Sequence, residues 1–160
     1  MRTAGNFVSQ KSSSAARCDV TAQVETKQTE TGAIVEALQG VEHPQTVSPG
    51  SVLFREGDDP RGVYFIRDGW FDLVYASRLG DSKPLRTAGP GQVLGLSCVV
   101  SNKAHDCSAT ARTPSNVGFI TREDFARMLD ENPDLWLSVL QMISSDISSC
   151  WDCMRSLGRC

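Results

Sequence analysis

Between Gln45 and Thr121 apolar and polar residues alternate in short runs. Turn-forming residues interrupt them at intervals of roughly 8 to 12, the mark of an all-β sandwich or barrel. Eight strands are predicted: Gln45 to Ser48, Ser51 to Arg55, Gly62 to Arg67, Trp70 to Ala76, Lys83 to Ala88, Gln92 to Leu94, Cys107 to Arg112 and Val117 to Ile120. Pro49-Gly50, Asp58-Asp59-Pro60, Asp68-Gly69, Gly80-Asp81-Ser82 and Gly89-Pro90-Gly91 separate them, residue types that preset a bend or tolerate positive φ. Asp68-Gly69 reads as a hairpin turn.

On either side the period changes. Ala33, Ile34, Val35, Ala37 and Leu38 predict a short helix closed by Gly40. Thr121-Arg122-Glu123-Asp124 reads as a capping box opening a second helix, with Phe125, Met128 and Leu129 as its apolar stripe. Asn132-Pro133 predicts a helix stop followed by a new start, Asn as N-cap and Pro at the first helical position. From there Trp136, Leu140, Ile143, Ile147, Cys150, Met154 and Leu157 repeat with alternating spacings of four and three, a heptad seam. Leu135, Val139 and Met142 widen the stripe only in its first turns. The seam predicts self-association through this helix; the plainer alternative is packing of the same stripe on its own roll.

Residues 1–31, rich in Ser, Thr and Gln, lack the apolar surface to offset the entropy of ordering and read as a disordered tail. The chain thus divides into that tail, a roll with its flanking helices over 32–132, and a terminal helix over 133–160. With 160 residues, a net charge of -3 and no strongly basic stretch, the remainder suits one domain. It does not suit a broad nucleic-acid footprint. No run is long and apolar enough to span a bilayer and no secretory signal is visible, so a cytoplasmic location is expected. The six cysteines are then expected as reduced thiols.

Three ordered blocks resemble the cyclic-nucleotide-binding sensor domain of the Crp/Fnr family of bacterial regulators. They are PGSVLFREGDDPRGVYFIRDG (Pro49 to Gly69), GPGQVLGLS (Gly89 to Ser97) and ITREDFARMLDENPDL (Ile120 to Leu135). The resemblance implies an eight-stranded antiparallel β-roll of jelly-roll type with flanking helices, a long C-terminal dimer helix, and a homodimer. It also implies a phosphate-binding cassette: Gly-Glu, a short helix, then Arg before small residues and a strand. Here Gly95 holds the first place, Leu96 replaces the Glu, and the Arg place falls on His105 or Asp106. The candidate ligand residues are therefore Gly95, Leu96, Ser97, Cys98, His105, Asp106, Cys107 and Ser108, a degenerate cassette lacking its carboxylate and guanidinium. The expected ligand is a small molecule other than cAMP; the alternative is a pocket kept only for structure. Family members usually continue into a DNA-reading helix-turn-helix. Only Gly158, Arg159 and Cys160 follow Leu157, so no autonomous DNA binding is expected.

Other chemistry is weakly supported. Cys150-Trp151-Asp152-Cys153 is a C-x-x-C late in a helix, whereas redox-active pairs sit at helix N-termini, where the dipole lowers the thiol pKa. Cys150, Cys153 and Cys160 offer three thiols where a closed metal site needs four, with Cys18 or Cys107 as the remote candidates. Neither an enzyme nor a bound metal is expected. The runner-up readings are a truncated Crp/Fnr-type regulator acting with a partner and a Cys-ligated metal or redox sensor.

Overall fold

The computed structural model describes residues 32–75 and 84–157, apart from the side chains of 85 and 149–157. The expected tail and the turn at Gly80-Asp81-Ser82 lie outside the described residues. So do Cys18, Cys160 and the side chains of Cys150, Cys153, Met154 and Leu157.

Eight strands form two antiparallel four-stranded sheets. One has the order β1 (His43–Val47), β8 (Ser115–Thr121), β3 (Gly62–Asp68), β6 (Val93–Leu94). The other runs β2 (Val52–Phe54), β7 (Ser108–Ala111), β4 (Phe71–Val74), β5 (Pro84–Ala88). This is the expected β-roll. β3 is buried on both faces: Val63 and Phe65 join one apolar cluster with the helices, while Ile66 joins a second cluster with the other sheet. In that second cluster Phe71 lies opposite Ala88 on β5 and Ala111 on β7. The two methyl groups leave room for the ring, so the strand pattern of large and small residues fixes the packing.

Asp68-Gly69 is a turn but not a hairpin. β3 and β4 belong to different sheets, so the chain here turns a corner from one layer to the other. Gly69 has φ +92, and a Cβ there would overlap the Ser115 side chain and stand 2.7 Å from Ser115 Cα. The turn residue is right; the pairing partners are set by distant strands, Asp68 opposite Asn116 and Phe71 opposite Ala111.

Helix α1 (Gly32–Gln39) packs Ile34 and Leu38 into the first cluster. In α3 (Arg122–Glu131) the capping interaction is present: Asp124 N–H donates to Thr121 Oγ1 at 3.1 Å, and that hydroxyl donates to the Asp124 carboxylate at 2.7 Å. Asn132 meets the first half of its expectation and Pro133 misses the second. Asn132 closes α3, donating from Nδ2 to the Met128 carbonyl at 3.1 Å, and α4 starts two residues beyond Pro133, at Leu135. α4 runs Leu135–Leu157. Leu135 and Val139 are buried, and Met142 and Ile143 pack beside them. Trp136, Leu140 and Ile147 are 43%, 58% and 53% exposed. Of the seam residues whose side chains are described, Trp136, Leu140 and Ile147 therefore face outward, while Ile143 packs on the core. None of the described helices is long and apolar enough to cross a membrane.

Candidate ligand-binding site

The connection from β6 to β7 carries the predicted cassette. Gly95, φ +79, turns the chain into α2 (Leu96–Ser101), and no side chain caps the helix start. Of its first residues Leu96 is only 2% exposed and belongs to the core, as do Cys98 and Val99, while Ser97 faces outward. Asn102, at φ +54, ends the helix by returning its N–H to the Cys98 carbonyl.

His105 is 4% exposed, and its ring stacks on Phe54 with centroids 3.9 Å apart and planes 15° from parallel. Its backbone is laced to the β2–β3 turn: Gly57 N–H donates to the His105 carbonyl at 2.8 Å, and His105 N–H donates to the Asp58 carbonyl at 2.9 Å. Ser108 joins the same work, its Oγ accepting from Glu56 N–H at 2.9 Å. Gly95 lies close by; a Cβ there would stand 3.0 Å from His105 Cε1. The fold thus brings Gly95, His105 and Ser108 to one side of the β2–β3 turn and sends Leu96 and Cys98 into the interior. Asp106 is exposed.

Burial holds the His105 imidazole below its usual pKa, against an opposing pull from Asp58 and Asp106, so the ring is neutral at pH 7. Burial, reinforced by Asp106, pushes the Cys107 thiol up to about 12. Since the thiolate is the nucleophile, alkylation of the folded protein at about pH 8 should leave Cys107 unmodified. Peptide mapping by mass spectrometry checks this; labelling of Cys107 as fast as in denatured chain contradicts it.

Beside His105 opens a cavity of about 520 Å³, lined by Leu53, Phe54, Gly57, Asp58, Asp59, Arg61, Tyr64 and His105. Sequence reasoning passed over Asp58, Asp59 and Arg61, because they read only as a turn. A second missed group is Arg86 on β5, whose Nη2 meets Asp146 Oδ1 of α4 at 2.8 Å. No group of three or more His, Cys, Asp or Glu among the described residues could hold a metal ion.

Residues 44–132 match the family model for the cyclic nucleotide-binding domain. The chain belongs to the cyclic nucleotide-binding domain family. Its fold is similar to that of the Thermus thermophilus catabolite activator protein, at 18% identity and TM-score 0.68, covering 79% of this chain and 59% of that one. It is similar also to the c-di-GMP-responsive global regulator CLP of Xanthomonas campestris, at 17% identity and TM-score 0.70, covering 80% and 63%. An uncharacterized protein of Haemophilus influenzae is 20% identical over 107 residues, 67% of this chain and 83% of its own length. The Crp/Fnr-type sensor fold expected from the three sequence blocks is therefore the fold observed. This family member spans only about three fifths of either solved regulator, so their likeness extends to the shared fold alone.

Proposed function

We propose that this chain is a non-catalytic sensor module of the cyclic nucleotide-binding domain family whose cassette no longer holds a cyclic phosphate, and which pairs with a second copy through α4. The observation that carries the first part is the make-up of the α2 connection. Leu96 is packed in the core where the resemblance calls for a ribose-binding carboxylate, and the two candidate Arg places hold a buried neutral imidazole and a carboxylate. A cyclic phosphate on the α2 connection would find no guanidinium from the cassette itself and one like charge, and an anion withdrawn from water without a partner is costly. The ligand of such a module is a small molecule of other chemistry.

Calorimetry and thermal shift with cAMP and cGMP test this reading. A specific ligand at 100 times its dissociation constant stabilises the fold by about 2.7 kcal/mol. Neither nucleotide, at millimolar concentration, should move the melting temperature measurably. Micromolar affinity for either one would overturn the proposal.

The pairing is supported by the outward stripe of α4. Trp136, Leu140 and Ile147 stand on the seam and are exposed on a helix whose other stripe is already satisfied by the core. Exposed apolar side chains at seam spacing, with Ser and Asp between them, fit a second helix of the same kind.

A further inference from the structure

The cavity beside His105 has a chemistry of its own. Its floor is apolar, Leu53 and Phe54, and its walls carry Asp58, Asp59, Arg61, Tyr64 and His105. His105 is almost wholly buried as a residue and lines this cavity, and no hydrogen bond reaches its ring among the described residues. An imidazole that lines a cavity with no protein partner for its donor or its acceptor can offer both to a ligand. Tyr64 adds a hydroxyl, and its pKa is raised by burial, lowered by Arg61 and raised by Asp58, which sets both charges near the phenol. The Arg61 guanidinium takes part in none of the ion pairs among the described residues. Asp58 spends one oxygen on Arg55 N–H at 2.9 Å, holding the turn in shape.

The lining therefore presents two carboxylates, one guanidinium and neutral hydrogen-bonding rings above an apolar floor. We propose that this cavity binds a free basic α-amino acid. Such a molecule carries two cationic groups and one carboxylate, the mirror image of the lining. Its carboxylate pairs with Arg61, its ammonium and side-chain cation with Asp58 and Asp59, and its methylene stem lies over Leu53 and Phe54. His105 and Tyr64 bond the amine and the carboxylate oxygens. Charge-assisted and bidentate pairs of this kind give specificity as well as affinity. The cavity volume is within the range of small-ligand sites, about 300 to 1,000 Å³.

This names a ligand for the sensor reading above and rests on it, but the two fail separately. Isothermal titration of the protein with L-arginine and L-lysine should give saturable binding with a dissociation constant below about 1 mM. Leucine, and the amine left when arginine loses its carboxylate, should bind at least about tenfold more weakly. Arg61→Gln, at an exposed position, and His105→Phe, which keeps an aromatic ring on Phe54 while removing both nitrogens, should each weaken arginine at least about tenfold. Circular dichroism melts confirm that both variants remain folded. If neither basic amino acid saturates, or if Arg61→Gln binds arginine as the parent does, the assignment is overturned. A cAMP titration in the same series bears only on the cassette reading: tight cAMP binding sinks that one whatever arginine does.

Discussion

Leu140→Asp combined with Ile147→Asp should leave the protein monomeric by light scattering at roughly 50 µM, where the parent is dimeric, and folded, with a melting temperature that no longer depends on protein concentration. The two positions are chosen because both are more than half exposed, so the roll does not depend on them. Ile143, although on the same seam, packs against the core beside Met142 and would confuse folding with pairing. In a two-fold pair each seam residue faces its own copy, and four carboxylates sealed in one seam have no counter-charge. Cys150 lies on the same seam, and disulfide formation requires Cα atoms within about 7 Å. Mild oxidation should therefore give covalent dimers for the parent and for Cys153→Ser, and little for Cys150→Ser. A monomeric parent at that concentration, without a Cys150 product, would return the outward stripe to the status of bare surface.

Gly69→Ala should lower the melting temperature by roughly 10 °C, the response to a loss of about 3 kcal/mol in a domain of this size. Two costs add. At φ +92 an L side chain pays about 1 to 2 kcal/mol. The new methyl also meets Ser115, a buried residue whose Cα belongs to the β8 backbone and cannot step aside. Gly91→Ala separates the two costs, because φ is +84 there and a Cβ would meet nothing within 4 Å. Thermal melts that coincide for Gly69→Ala and Gly91→Ala would show that the Ser115 contact costs nothing.

The strands were legible because their information is local: alternation marks a half-buried strand, and Gly, Pro and Asp mark its ends. The partner of each strand was not. Asp68-Gly69 announces positive φ, but whether the chain then folds back or crosses to another layer is decided by β7 and β8, which lie far along the chain at Ser108–Ala111 and Ser115–Thr121. Asn132-Pro133 was legible as a stop and a new start; the stop is there, with the Asn132 amide on Met128, but the new helix begins only at Leu135. In α4 the spacing alone separated Val139 and Met142 from Leu140 and Ile147, since helical geometry maps spacing onto direction. The candidate site was legible only as far as its Gly95 turn. That Leu96 points inward, that His105 lies on Phe54 and that Arg61 shares a cavity with both are facts of long-range packing, which no single stretch of sequence contains.

β5 stands at the end of its sheet, with β4 on one side and, among the described residues, no strand on the other. An uncovered strand edge is a template for indiscriminate stacking of chains. Arg86 on this strand is tied to Asp146 of α4, and the helix touches the strand. The ion pair therefore has a consequence for solubility. It sets a charge and a helix beside the strand where β-sheet growth would begin, and under the pairing proposed above the outward face of α4, with its defined spacing, is where two copies would meet.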